Sequence, residues 1–406
     1  MDQQFINRVY ASLEFEQKRQ RPPENFPSLP TIPPGRYTSD EFLQLEKQFL
    51  WNNTWLYACH ADQLELPGNY ILLENVGSTI VLVRGKDRVI RAFYNSCRHR
   101  GGPLVVQSSG RLKGGFSCSF HGWGYDLEGR LKGVRDRQDF VDLDTACLGL
   151  VSVLCENLGK WIFINENPDA RPLTEYLGPI AGHMSQFDLD NIRHISSSSY
   201  EVECNVKTLM ETFLEVYHLH TLHPRTVNRF LDYRGSSHTL WPDGHSLMVT
   251  PNRNPDWVDP GTVGMVEFSD AAELTRKTNV SYNIYPNLIT PVAPTGIPFL
   301  VIWPLDAQSS RVDCHWFSPD WGDGEPHALW QQRMENFVRI LREDLDFAPR
   351  LQRSVVSTGF TGSRLNYQER RIYHWHEELD RRIGSERIPS HLRVEPVLDD
   401  MIEYND

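Results

Sequence analysis

Cys97-Arg98-His99-Arg100-Gly101-Gly102-Pro103-Leu104 and Cys118-Ser119-Phe120-His121-Gly122-Trp123-Gly124 are two short boxes, each offering one thiolate and one imidazole, with eighteen residues between His99 and Cys118. Sulfur together with nitrogen suits iron–sulfur chemistry or zinc, not calcium or magnesium, which take oxygen. Zinc is the rival, but structural zinc sites usually present ligands of one kind in pairs, whereas each box here mixes them. A mixed pair per loop is what a [2Fe–2S] centre of the Rieske type needs, with two cysteines on one iron and two histidines on the other. The flanking Gly101, Gly102, Gly122 and Gly124 let backbone amides approach the sulfurs, because only a residue without Cβ permits such close turns. Neutral histidine ligands raise the potential above that of an all-cysteine cluster, so the centre can accept electrons from a low-potential ferredoxin or flavoprotein.

The sequence around the boxes is strand-like. From Trp55 to about Asn165 short β-branched and aromatic runs (Tyr70 to Leu73, Thr79 to Arg84, Val89 to Tyr94, Trp161 to Ile164) alternate with Gly and Asn, the texture of a small antiparallel β domain. Residues 1–40 give a helix and then a linker in which Pro22, Pro23, Pro27, Pro30, Pro33 and Pro34 forbid continuous helix; a second helix is expected from about Ser39 to Asn52. After residue 166 come a connection with a short helix and a strand-like run from Ile192 to Val206. Met210, Phe213, Leu214 and Tyr217 then recur at helical spacing, which starts a core-facing helix near Lys207. Alternating strands return between Val280 and Trp316, followed by a long helix from about Pro326 to Asp346 and an amphipathic one from about Asn366 to Arg382. The expected class is α+β, divided into an N-terminal helix and linker packing on the catalytic domain (1–40), a cluster-bearing β domain (41–165) and a second domain of sheet plus helices (166–406).

The 406 residues, 40% hydrophobic and 23% charged, fit an ordinary globular protein. No run approaches the roughly 18 to 20 apolar residues of a membrane helix, and the N-terminus lacks the apolar core of a secretory signal, so a cytoplasmic protein is expected. Seven cysteines without disulfide-framework spacing fit reduced thiols or metal ligands. The formal charge of −12 argues against nucleic-acid binding. Inside this acidic chain, Arg84 to Arg137 holds twelve Lys/Arg against four acids, a local +8 that fits a docking face for an acidic partner.

A second constellation follows: Glu215-Val216-Tyr217-His218-Leu219-His220-Thr221-Leu222-His223-Pro224. Two neutral imidazoles plus a carboxylate from elsewhere make a facial triad that leaves iron positions open. Glu215 and His218 are i, i+3 and share a face if helical, whereas His218 and His223 stand about 140° apart on an ideal helix. Joint ligation therefore requires a π-type bulge or a helix end near His223, and Pro224 fits the latter. His220 competes with His218, being i, i+3 to His223. Met210, Phe213, Leu214, Ile284 and Leu288 are candidates for an apolar pocket.

Both Cys/His boxes, the acid-x-x-His-x4-His run and the domain order resemble the α (oxygenase) subunits of Rieske non-haem iron aromatic-ring-hydroxylating oxygenases over nearly the full chain. The resemblance implies a helix-grip catalytic domain, with Cys97, His99, Cys118 and His121 holding the [2Fe–2S] cluster and His218 and His223 binding a mononuclear Fe(II). It implies a third ligand from a Glu-Asp pair followed eight residues later by Gln: Glu343-Asp344 with Gln352 fits, favouring Asp344 over Asp346. It also implies O2 as co-substrate, electrons from NAD(P)H through a flavin reductase or ferredoxin, a head-to-tail homotrimer, and Glu215 as an acid bridging His218 to a neighbouring subunit's cluster histidine. The expected substrate is a small aromatic or alicyclic compound. Glu215, where most ring-hydroxylating relatives carry Asp, makes a carnitine- or betaine-like quaternary ammonium compound the alternative. Two other readings stand beside these, a Rieske electron carrier fused to a ligand-binding module and a structural zinc protein.

Overall fold

The computed structural model describes residues 1–75 and 77–404, and its contacts divide the chain into two units, Asn52–Leu173 and a second formed by Met1–Trp51 with Thr174–Asp406. The first unit is built of strands. These are β1 (Leu56–His60), β2 (Asn69–Asn75), β3 (Ser78–Arg84), β4 (Ile90–Tyr94), β5 (Ser109–Arg111), β6 (Phe116–Ser117), β7 (Gly124–Tyr125), β8 (Leu131–Gly133), β9 (Ser152–Leu158) and β10 (Trp161–Asn165). They form a seven-stranded sheet in the order β1-β10-β9-β4-β3-β2-β5 and a three-stranded sheet β6-β7-β8. In the β2–β3 register Tyr70 faces Val83 and Leu72 faces Val81. Side chains two apart on a strand share a face, so this apolar set lies together in a core that also contains Phe93, Cys97, Cys118, Trp123 and Tyr125. Both box cysteines thus sit in the hydrophobic core of their unit.

The larger unit carries α1 (Gln3–Lys18), α2 (Asp40–Phe49), most of α3 (Leu173–Leu177), α4 (Pro179–Met184), α5 (Val206–Leu214), α6 (Leu219–Leu222), α7 (Glu273–Lys277), α8 (Leu329–Val355) and α9 (Arg370–Ile383). Its strands are β11 (Arg193–Val202), β12 (Ser237–Leu240), β13 (Ser246–Pro251), β14 (Thr278–Ile284), β15 (Leu288–Val292), β16 (Ile297–Pro304) and β17 (Ser310–Ser318), in the antiparallel order β11-β17-β16-β15-β14-β13-β12. Trp316 of β17 meets Trp330 and Phe337 of α8 with ring centroids 6.1 and 4.7 Å apart, which lays that helix on the sheet. Among the described residues no helix is long and apolar enough to cross a membrane.

Three boundaries differ from expectation. Residues 41–51 belong to the larger unit, not to the β unit, because Glu46 of α2 makes a buried ion pair with Lys207 of α5 at 2.7 Å; periodicity reveals an apolar helix face but not its partner. Residues 166–173 stay with the β unit, where Trp55 Nε1 donates to Arg171 O at 2.8 Å and Leu173 N to the Glu156 carboxylate at 2.9 Å. The long helix runs on past Asp346 to Val355, through Pro349. Proline removes one backbone donor, but Leu341, Leu345, Ala348, Gln352 and Val355 recur at helical spacing and are buried, and that packing carries the helix onward.

The larger unit also buries charge. Arg36 donates to Asp380 at 2.6 Å and to His376 Nδ1 at 3.1 Å, which leaves His376 Nε2 to donate to Glu211 at 2.7 Å. Burial pushes the Glu211 carboxyl up to about 8 against the pull of Tyr37, Lys207 and Arg36. A carboxyl whose folded pKa lies above its unfolded value of 4.5 destabilises the fold increasingly as pH rises between the two. Glu211→Gln is expected to gain stability on wild type between pH about 5 and about 8, measured by urea unfolding at both.

Candidate metal centres

The two boxes fold as copies of one loop. Cys97 O accepts from Gly101 N and Cys118 O from Gly122 N, both at 2.9 Å, and Gly101 and Gly122 share φ +73°. Cys97 N then donates to Gly102 O at 2.8 Å and Cys118 N to Trp123 O at 2.9 Å. Glycine is required at the turn because that φ is left-handed. It is required at Gly102 for space, where a Cβ would stand 3.0 Å from Cys118 Sγ and 3.2 Å from Phe120 Cβ. Asn95 staples the first loop, accepting from Leu104 N at 2.9 Å and Val105 N at 3.0 Å and donating to Val105 O at 2.8 Å.

The loops bring His99 Nδ1 within 3.1 Å of His121 Nδ1, while the His99 ring lies flat on Trp123, with centroids 4.9 Å apart at an interplanar angle of 8°. Two half-exposed imidazoles thus converge at one end and two buried thiols lie in the core, the donor set a His-ligated two-iron cluster takes. The Tyr125 hydroxyl lies 3.2 Å from Cys97 Sγ while accepting from Arg98 N at 3.0 Å. A hydroxyl donating to a cluster sulfur stabilises the reduced state, so Tyr125→Phe is expected to lower the midpoint potential by on the order of tens of millivolts, checked by redox titration.

The second site is built where α5 ends. Asn205 caps that helix by accepting from Lys207 N at 2.9 Å, and its own N–H is held by Gln352 of α8 at 2.9 Å. Gln352 follows Asp344 by eight residues, about 12 Å along α8, and α5 with nine residues spans about 13.5 Å. Pinning one end of α5 to Gln352 therefore sets its other end beside Asp344. There Glu215 turns extended (φ −141°, ψ 173°) and its carboxylate accepts from the backbone amides of Tyr217 and His218, the bonding of an N-cap on the following turn. Glu215 and His218 are thus not on one continuous helix, contrary to expectation. The chain breaks again at His223, ahead of Pro224, where φ is −111° and ψ 38°.

These two breaks bring His218, His223 and Asp344 together, with one ligand-type atom from each within 4.8 Å of the others. His223 Nε2 lies 3.0 Å and His218 Nε2 3.6 Å from Asp344 Oδ1. The opposite nitrogens are both held by acids: His218 Nδ1 by Glu215 at 2.5 Å, His223 Nδ1 by Glu343 at 2.5 Å, with Thr226 Oγ1 donating to Glu343 at 2.8 Å. Such outer carboxylates orient a ligand imidazole and raise its basicity. Burial pulls both imidazoles down, but the charges and hydrogen bonds of Glu215, Glu343 and Asp344 outweigh it, and both end raised. His220 is exposed and outside this group. Asp346 is exposed too, on a surface cleft of about 330 Å³ with Leu222, Pro224, Arg225, Phe347 and Arg350.

In the sequence Glu343 stands out only as half of a doubled acid with Asp344, and Thr226 carries no signal of a role. The apolar cluster at the turn is also different from the expected one: Val216, Leu219, Leu231 and Met248 with Val227, Phe230 and Tyr233. Met210, Leu214, Ile284 and Leu288 are fully buried.

Known proteins match along the same division. Residues 54–146 match the model of the Rieske [2Fe-2S] domain, and residues 189–385 that of the ring hydroxylating alpha subunit (catalytic domain). The carnitine monooxygenase oxygenase subunit of Acinetobacter pittii is 30% identical over 358 residues, 84% of this chain and 90% of that protein. The Escherichia coli (strain K12) subunit is 31% identical over 208 residues, so the chain spans only 55% of that relative's length. The naphthalene 1,2-dioxygenase large oxygenase component of Pseudomonas putida is 30% identical over 226 residues, 52% of this chain and 49% of that one. Among solved structures, a quaternary ammonium Rieske monooxygenase described in terms of carnitine oxidation and inter-subunit electron transfer superposes with a TM-score of 0.74 at 23% identity, covering 91% of this chain and 99% of that one. At that identity the likeness is one of fold. This chain belongs to the Rieske oxygenase family of α subunits, oxidoreductases whose two domains use a [2Fe–2S] cluster, mononuclear iron and O2.

Proposed function

We propose that the chain is the oxygenase component of a multicomponent system in which Cys97, His99, Cys118 and His121 hold the cluster and His218, His223 and Asp344 hold a ferrous iron. The observation that carries this reading is the gathering of two imidazole nitrogens and one carboxylate within 4.8 Å, the donor set of an iron site with open positions. A cluster-only electron carrier or a structural zinc protein has no use for it. When bound, the cluster relays single electrons and the iron activates O2. The protein's own residues do the rest: Glu215 and Glu343 fix the two imidazoles, and Val216, Leu219 and Met248 pack as a buried apolar cluster that holds the His218 turn.

Glu215, 8% exposed beside the half-exposed Tyr217 and His218 turn, is the residue we place opposite a cluster histidine of a neighbouring copy in a closed head-to-tail trimer. Electrons enter from NAD(P)H through a ferredoxin or flavin reductase. Arg98, Arg100, Lys113 and Lys132 are exposed and form no ion pair with a described residue, which supports the acidic-partner face. Reductase-driven turnover is therefore expected to fall steeply with added salt, and a flat dependence would count against docking there.

The substrate is a small organic molecule, either an aromatic or alicyclic ring to be hydroxylated or a quaternary ammonium compound to be cleaved. Glu215, and a match to a carnitine monooxygenase subunit over 84% of this chain against 52% for the naphthalene dioxygenase component at the same 30% identity, favour the second. The test is aerobic turnover of aromatics and quaternary amines with a surrogate reductase on protein whose metals have been counted. About three irons and two sulfides per chain, with ring diol or phenol in one case and aldehyde plus amine in the other, are the supporting results. Zinc in place of iron, or iron in the cluster alone, would sink it.

A further inference from the structure

Residues 134–151 join β8 to β9 with no strand of their own, only the short turns Arg137–Asp139 and Thr145–Cys147. Long irregular connections in compact domains are usually functional when they are ordered. Four side chains of this one, Val134, Phe140, Leu143 and Leu148, turn in against the core that holds Cys97, Cys118 and Trp123, whereas Val141 beside Phe140 is 92% exposed. Arg137 clasps the connection by donating to Phe140 O at 3.0 Å and to Leu143 O at 2.5 Å. The backbone that carries Phe140 is thereby tied into a closed turn.

Phe140 is aimed at the imidazole-bearing end of the two loops. Its ring centroid lies 5.9 Å from that of His99 and 5.8 Å from that of Trp123, at interplanar angles of 78° and 72°. His99 and Trp123 are parallel to each other, so a ring equally far from both and nearly perpendicular to both stands across the side of their stack. Edge-to-face contact of this kind is a favoured aromatic geometry. His121 is covered differently: its ring meets His99 and Phe120, and Phe120 is itself 57% exposed. The two imidazoles therefore differ in their access to water, and Phe140 closes the His99 side.

We infer that Phe140 is a positioning residue for the electron relay: by keeping water from the His99 side of the cluster it holds the reduction potential down. The inference rests on Cys97, His99, Cys118 and His121 holding that cluster, and goes beyond it by giving the irregular connection a task. Two ferric ions against two sulfides and two thiolates, with neutral imidazoles, leave the oxidised centre uncharged, and the one electron it gains leaves a single negative charge. An apolar surround disfavours the charged form. Exclusion of water thus lowers the potential and admission of water raises it. A lower potential makes the reduced centre the stronger donor when that electron passes onward to the mononuclear iron. The direction is opposite to that of the Tyr125 hydroxyl, which stabilises the reduced state.

The experiment is a redox titration of the metal-loaded protein, wild type beside Phe140→Ala and Phe140→Leu, with the deuterium modulation of the reduced cluster's electron spin echo recorded in D2O. Phe140→Ala is expected to raise the equilibrium constant for one-electron reduction at least about threefold, a rise of about 28 mV for a one-electron couple, and to deepen the deuterium modulation as water reaches the ring. Phe140→Leu keeps an apolar side chain in place and should stay closer to wild type than to the alanine variant in both readouts. If Phe140→Ala does not fold or take up the cluster, Phe140→Val stands in for it with the same expected direction. An unchanged or lowered midpoint, or a raised one without deeper modulation, overturns the inference. Iron and sulfide are counted on the same samples. Wild-type protein without the signal of a His-ligated two-iron centre loses the cluster reading, whereas protein with that signal and an unmoved midpoint loses only the role of Phe140.

Discussion

Asp344→Ala is expected to strip the mononuclear iron while leaving the [2Fe–2S] spectrum at wild-type strength, and turnover should fall by more than about a hundredfold. The carboxylate is 6% exposed and is the group toward which both histidine Nε2 atoms point, at 3.0 and 3.6 Å. Without it two neutral imidazoles remain, and the anionic ligand that suits a hard ferrous ion is gone. His223 stays in place because Glu343 still holds its Nδ1, so the loss is of a ligand and not of the turn. Asp346→Ala is the control: its side chain opens on a surface cleft, and iron content and rate should stay close to wild type. Metal analysis with electron paramagnetic resonance measures both. Equal iron loss in the two variants would remove Asp344 from its assigned place.

Glu215→Gln is the second large effect, with both metals retained and product formation slowed by about a hundredfold. One carboxylate oxygen accepts the two backbone amides of Tyr217 and His218, and the other faces His218 Nδ1. An amide has a single acceptor oxygen, so one of those two faces would meet an N–H with an N–H. The His218 imidazole then loses either its orientation or its turn, and the negative charge that raises its basicity disappears in either case. Rapid-mixing kinetics of cluster reoxidation in the presence of substrate separates slow transfer from slow chemistry. Unchanged reoxidation and turnover would leave Glu215 as a capping residue alone.

Much of this site is legible in the sequence. The two boxes announce a mixed donor set because thiolate and imidazole alternate within each loop, and their glycines mark turns that the backbone then makes at φ +73°. The Gln eight residues after Asp344 was visible as a pattern, but its purpose was not: it holds Asn205, 147 residues earlier, and so aligns α5 with α8. Glu343 and Thr226 were hidden for the same kind of reason, because Glu343 meets His223 and Thr226 across more than a hundred residues.

By itself the sequence determined the kinds of donor, the pairing within each box, the β texture of one unit and the helical periodicity of the other. Those are properties of neighbours within a few residues, where chain geometry dictates which side chains share a face. Only the tertiary structure decided that His218 and not His220 faces Asp344, and that Asp346 turns to solvent. Such outcomes depend on where a helix stops and what it packs against. Here Glu215 ends one helix by capping the next turn, and helix-to-helix packing across more than a hundred residues supplies the carboxylate.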